Sequence, residues 1–237
     1  MKKKLVAVVM ALFLIANIGG SAFAVTDVSD QDQVVWQKDY QVIQLNDEAI
    51  VELALKGILI NNEHTQVQLT EDPYGNKVVQ VHKKLSEKRL SNGAIQSDYR
   101  LYATGTIREQ DDFGSLTGTI SAGFDYTTMK DPSNPIRTGY RMTSFFATPR
   151  ISDTSFRLTR LSQTATQGGM GFTSDGRVYV NNEKREYNKD YPTSGIQYNS
   201  STGFTAYVEK LDFSVLENYV KINYERNTTG QNHYFEI

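Results

Sequence analysis

From Gln66 onward, apolar and polar residues alternate in short runs. The clearest run is Asp98 to Arg108, with Tyr99, Leu101, Ala103, Gly105 and Ile107 on one face and Arg100, Tyr102, Thr104, Thr106 and Arg108 on the other. That is the pattern of a half-buried antiparallel strand. Asn92-Gly93 precedes it and supplies the positive φ angles of a tight hairpin, so the segments around Val78 to Leu85 and Ile95 to Ile107 are expected to pair. Pro73-Tyr74-Gly75-Asn76 makes a second turn, joining Gln66 to Leu69 with Val78 to Val81. Asp175-Gly176 makes a third, between Met170 and Phe172 on one side and Val178 and Val180 on the other. The alternation resumes through Phe204, Ala206 and Val208, then Val220, Ile222 and Tyr224, then His233, Phe235 and Ile237. Successive turns with flanking strands describe a meander rather than a βαβ repeat.

One segment favours a helix. Asn46 to Ile60 has Asn46 or Asp47 as cap, acids in its first turn, Ile50, Leu53 and Ala54 on one face, and Gly57 as a plausible stop. Val51, Leu53, Leu55 and Leu59 also fit a period of two, so the pattern leaves a strand open as the alternative. Asn181 to Gly203 is a long polar stretch and reads as a loop between strands, a length that is uncommon unless the loop is functional or disordered. With no internal repeat and no linker-like stretch, the economical fold is mainly β: an antiparallel β-sandwich-like domain over 46–237 with a short N-terminal helix, preceded by a polar leader and first strand over 25–45.

The front of the chain changes the charge arithmetic. Lys2, Lys3 and Lys4 are followed by an apolar run from Leu5 to Ile18 and by Ala22-Phe23-Ala24, the order of an export signal over 1–24 with cleavage after Ala24, where Ala22 and Ala24 are the small residues signal peptidase reads. The run is short of the roughly 20 apolar residues that span a bilayer. The full chain of 237 residues carries a net charge of −2, whereas removal of the signal leaves 22 basic against 27 acidic residues, a net −5. A mildly acidic mature protein lacks the basic footprint of a nucleic-acid binder. The absence of cysteine removes thiol chemistry, Cys-ligated zinc, Fe–S clusters and the lipid attachment of a bacterial lipoprotein, while remaining compatible with an oxidising exterior. A secreted, extracellular protein of bacterial type is the expected localisation.

Chemistry is sparse. His64, His82 and His233 are scattered, with no His-Glu-x-x-His arrangement, and His82 beside Lys83 and Lys84 reads as solvent-facing. No Gly-x-Ser-x-Gly elbow and no Walker-type phosphate loop is present, and no cofactor is implied. Two patterns suggest function. Tyr187, Tyr191 and Tyr198 lie among Asn182, Asn188, Asp190 and Asn199, a mixture of aromatic faces and amide or carboxylate groups that suits a glycan or another cell-envelope component. The same tyrosines also serve a bland purpose if they fold back to pin their loop. Ser115 to Thr128 sets Ser115, Thr117, Thr119 and Ser121 against Leu116, Gly118, Ile120, Ala122, Phe124 and Tyr126, a pattern that resembles the stem strands of β-pore-forming toxins and equally fits an ordinary long strand. Trp36, beside Val34 and Val35, reads as a core or helix-docking residue. The sequence therefore favours a non-catalytic extracellular binding or envelope-associated protein, over a membrane-active or pore-forming protein and over a secreted hydrolase without a recognisable motif. Nothing in it sets the oligomeric state.

Overall fold

The computed structural model describes residues 33–40, 47–71, 77–111, 114–131, 133–173, 176–209, 215–226 and 232–236. The signal segment and its cleavage site, most of the polar leader, and the turns at 73–76 and 175 lie outside these residues. Within them the protein is mainly β, as the alternation predicts, with all strand pairs antiparallel and one short helix.

The strands are β1 (Val34–Asp39), β2 (Thr65–Glu71), β3 (Lys77–Leu90), β4 (Ile95–Asp111), β5 (Gly114–Asp131), β6 (Asn134–Ile151), β7 (Phe156–Thr173), β8 (Gly176–Asp190), β9 (Tyr198–Ser201), β10 (Tyr207–Glu209), β11 (Val215–Arg226) and β12 (Asn232–Glu236). They form one open sheet whose main path runs β1-β3-β4-β5-β6-β10-β7-β11-β12, with β2 also on β3, β8 on β7 and β9 on β6. The expected hairpins are present: Val81 pairs with Tyr102 across the Asn92-Gly93 turn, where Gly93 takes φ +83°, and Gly171 pairs with Val178 beside Gly176 at φ +118°. Leu69 pairs with Val79, as the second turn requires.

Helix α1 (Asp47–Leu55) settles the ambiguity of residues 46–60. Ile50 and Ala54, one turn apart, are buried, whereas Leu55 and Leu59 of the period-two reading are exposed. The helix stops where Gly57 adopts φ +84°, with the Ile58 N–H bonded to Leu53 O at 2.9 Å and the Gly57 N–H to Ala54 O at 2.9 Å, a glycine-dependent C-cap. Ile50 and Ala54 pack on Val67, Val79, Val81, Tyr102 and Phe146, so α1 covers one face of β2, β3, β4 and β6.

On the face away from α1, β5 and β6 pack on the C-terminal strands. Ile120 and Ala122 of β5 and Ala147 of β6 meet Phe156, Leu158 and Leu161 of β7 and Val220, Ile222 and Tyr224 of β11. Phe124, Tyr126, Met142 and Phe145 continue this core towards Ala165 and Phe204.

Three expectations are corrected. Residues 181–190 belong to strand β8, so the connection is a short loop at 191–197 rather than the whole of Asn181 to Gly203. The sequence hid the strand because β8 pairs only with β7 among the described residues and most of its positions face water on either side, leaving no alternation to read. His82 turns inward, because Val79 and Val81 commit the other face of β3 to α1 and the alternate positions then point at Tyr99 and Tyr126. Trp36 is half-buried on edge strand β1, with Lys38 Nζ 5.6 Å from its ring centre.

Candidate functional site

Polar side chains gather in two places on the strands covered by α1. Under the N-terminus of the helix, Asp47 pairs with Lys83 and, at 3.6 Å, with Arg100. Arg100 in turn grips Asp125 through Nε–Oδ1 at 2.7 Å and Nη2–Oδ2 at 3.0 Å, and Ser144 Oγ donates to Asp125 at 2.9 Å. The carboxylate of Asp125 pushes the Arg100 pKa up, and the ring of Phe146 lies 4.9 Å from its guanidinium carbon. Every charge in this chain answers another, which docks α1 on the sheet rather than leaving a group poised for proton transfer.

Among the described side chains, His64 and His82 do not converge. His82 accepts from or donates to Tyr126 Oη at 2.7 Å and stacks on Tyr99 at 5.2 Å, while His64 lies against Tyr40 at 4.0 Å. Among the described residues no group of three His, Asp or Glu side chains is placed to hold a metal ion. Burial pushes the His82 pKa below 6.5, and burial likewise raises those of Tyr126 and Tyr140, so the facing tyrosines stay neutral over the same range. A folded pKa below the unfolded one means that the unfolded chain binds more protons, so stability is full above about pH 6.5 and falls as the pH drops towards the folded value. Chemical denaturation between pH 7.5 and 5 is expected to show this loss, and His82→Gln to reduce it. An unchanged pH slope in that variant would place the titration elsewhere.

The three tyrosines of the sequence proposal separate in role. Tyr187, half-buried on β8, packs against the Phe124–Phe145 core, and its ring lies 6.4 Å from that of Tyr198. Tyr198 at the start of β9 packs on the Leu161 cluster and accepts the Thr193 N–H through its hydroxyl at 2.7 Å. These two hold the loop down. Tyr191 is displayed, with 64% of its surface exposed and a left-handed backbone at φ +49°. A non-glycine residue in that region stores about 1–3 kcal/mol and persists only where its surroundings over-determine it. They do: the Tyr191 N–H bonds Thr159 O at 2.9 Å, the Gly195 N–H bonds Pro149 O at 2.8 Å, and Ser194 Oγ accepts the Ile151 N–H at 2.9 Å. Pro192, next to the strained residue, is buried.

Beside the displayed ring and the already noted Asp190 stand three side chains that the sequence pattern does not signal: Arg157, Arg160 and Glu225. The Arg157 guanidinium carbon lies 5.2 Å from the centre of the Tyr191 ring and pairs with Glu225 of β11, while Arg160 meets Asp190 at 3.6 Å. Only the pairing of β7 with both β8 and β11 brings these distant positions together, so no spacing in the chain signals them. The result is an exposed aromatic ring with the Arg157–Glu225 pair beside it and the Arg160–Asp190 pair at the adjoining positions of β7 and β8, a mixture able to stack on the CH face of a ring and to exchange hydrogen bonds with hydroxyls.

The Ser115 to Thr128 pattern lies in β5, which is flanked by β4 and β6. Its apolar positions Ile120, Ala122, Phe124 and Tyr126 are buried in the core. Among the described residues no helix is long and apolar enough to cross a membrane. Comparison of the chain with family models, with curated proteins and with solved structures finds no match.

Proposed function

We propose that the protein is secreted, with its signal removed after Ala24, and acts without catalysis by binding a glycan of the cell envelope at the Tyr191 platform. The domain is a β-sandwich over 46–237 in which the sheet turns back on itself. Support for the sandwich comes from Ile120, Ala122 and Ala147 packing face to face with Leu158, Leu161, Val220 and Ile222. The observation that carries the binding reading is the strained, exposed Tyr191, held by its own N–H bond to Thr159 O in a loop braced by two further bonds at Ser194 and Gly195, with Arg157, Arg160, Asp190 and Glu225 nearby. A rigid aromatic with few rotatable bonds binds at low entropic cost, which is the economy of a recognition loop.

The test is retention on purified peptidoglycan and on a polysaccharide panel. Tyr191→Ala is expected to reduce retention at least tenfold while leaving the melting temperature unchanged. Tyr198→Ala is expected to lower the melting temperature through loss of the Thr193 bond and the contact with Tyr187. Equal retention of wild type and Tyr191→Ala sinks the site.

A second reading, a membrane-active protein, draws on the β4–β5 hairpin. Its register runs from Gln96–Met129 to Asp111–Gly114 without a bulge, and residues beyond Gly105 on β4 have no partner on β3 among the described residues. Dye release from liposomes decides it, and intact vesicles at micromolar protein count against it. The central position of β5 makes this the weaker reading, since insertion would expose a core that now contains Phe124 and Tyr126.

A further inference from the structure

At the other end of β7 from Tyr191, three strands bring two arginines onto one buried carboxylate. Glu209 of β10 has 7% of its side chain exposed, and its Oε1 receives Arg137 Nη1 of β6 at 3.4 Å and Arg177 Nη2 of β8 at 3.5 Å. The two guanidinium side chains are 37% and 44% exposed. Both contacts are longer than the roughly 2.7–2.9 Å of a committed charge-assisted bond, and both fall on the same oxygen. Each guanidinium has five N–H donors in a planar fork and spends one here. The trio carries one excess positive charge. A fourth charge stands close by, because Arg141 follows Arg137 on the same face of β6 and stacks over Tyr207 at 4.5 Å.

The backbone makes this convergence possible. Gly139, paired with Glu209, has no side chain, and a Cβ there would lie 2.5 Å from the Phe172 ring. Phe172 and Tyr207 therefore stack at 5.4 Å across the glycine, and Arg177, paired with Phe172, reaches the carboxylate beside them. A single buried carboxylate that holds two half-exposed forks together keeps them oriented in the absence of any other anion. With 37% and 44% of their side chains exposed, both forks can be reached from solvent.

We propose that Arg137 and Arg177, held around Glu209, bind a phosphate or phosphodiester group. Phosphate matches this arrangement because its several oxygens and charge of up to two can accept bidentate bonds from both forks at once, whereas a carboxylate has oxygens for a bidentate bond with one fork, and Glu209 meets each of the two through a single long contact. The site is separate from the Tyr191 platform: Arg160 and Phe172 are twelve residues apart on β7, about 40 Å at 3.3 Å per residue, so either site stands or falls alone.

Calorimetric titration of the full-length secreted protein with inorganic phosphate at low salt is expected to saturate and to weaken as salt rises. The Arg137→Gln/Arg177→Gln double variant is expected to lose at least tenfold in affinity, with Arg177→Gln alone as the check if the double variant fails to fold. Arg160→Gln, at the far end of β7, is expected to bind as wild type. Glu209→Gln is the discriminating variant: removal of the competing carboxylate should tighten phosphate binding, whereas a purely structural ion-pair cluster would lose stability and gain no affinity. Sedimentation with vesicles of phosphatidylglycerol and phosphatidylcholine, against phosphatidylcholine alone, distinguishes a lipid headgroup from a soluble phosphate, and either source supports the site. No saturation with phosphate and no sedimentation with anionic vesicles, or undiminished binding by the double variant, overturns it.

Discussion

Replacing Gln167 by leucine is expected to destabilise the protein by about 2–6 kcal/mol, from two buried backbone groups left unpaired at about 1–3 kcal/mol each. The edge of β6 that faces away from β5 is covered in two pieces, by β10 at Gly139 and Tyr140 and by β9 from Ser144 to Ala147. Met142 falls in the gap. Its N–H is taken by Gln167 Oε1 at 2.8 Å, and its carbonyl by Thr202 Oγ1 at 2.6 Å. The amide of Gln167 then donates to Ala206 O at 2.7 Å, so one fully buried side chain stands in for a missing length of strand and ties β7, β6 and the approach to β10 together. Leucine has nearly the same volume and neither polar group, so packing is kept while the pairing is lost. For a domain whose net stability is typically 5–15 kcal/mol the effect is a large fraction of the whole. Urea denaturation of the two proteins measures it, and a difference below about 1 kcal/mol would mean that water or a shifted backbone replaces the bonds.

Gln167 also shows where hydropathy stops being readable. On β7 the inward positions are Leu161, Gln163, Ala165 and Gln167, all buried, so a period-two reading assigns two of four core positions to solvent. β4 and β5 were legible because Leu101, Ile120, Ala122 and Phe124 face a greasy layer while Thr104 and Ser121 on the other face are half-buried and hydrogen-bond each other at 2.7 Å; Tyr102, on that same second face, is buried under α1 and was not legible. The hairpin turns were legible because the geometry needs glycine at positive φ, and glycine marks itself in the sequence. The order of the sheet was not. β10 is three residues long and lies between β6 and β7, although those two strands are consecutive in the chain. A local pattern carries no information about such an insertion.

The candidate site divides the same way. The tyrosines stood out as a cluster because composition is local, but which of them is available depends on packing. Tyr187 and Tyr198 are drawn into the Phe124 and Leu161 clusters, and Tyr191 is left outside by a backbone conformation that no residue pattern announces. Arg157 and Glu225 are neighbours only through the pairing of β7 with β11.

Gly171→Ala is expected to cost about 3 kcal/mol or more, at the upper end of overpacking effects, because the atoms in the way are backbone. A Cβ at Gly171 would lie 2.0 Å from Tyr207 O and 3.0 Å from Val208 Cα. The carbonyl cannot swing aside, since Tyr207 and Val208 are the residues that pair β10 with Phe172 and Gly171 of β7. Relief therefore requires β10 to leave β7, which opens the junction between the two consecutive long strands and moves Glu209 away from Arg137 and Arg177. Gly105→Ala is the matched control, a strand glycine whose Cβ would meet only Val78 Cγ2 at an ordinary 3.9 Å. Alanine there reduces the freedom of the unfolded chain and is expected to be neutral or stabilising by about 0.4–1 kcal/mol. Thermal and urea denaturation of both variants should therefore separate two chemically identical substitutions by more than about 3 kcal/mol. Phosphate titration of the Gly171 variant adds a readout that global stability does not: if β10 is displaced, affinity falls under conditions where the rest of the sheet remains folded. Near-equal stability of the two alanine variants would show that β10 is free to shift and that its junction with β7 does not set the fold.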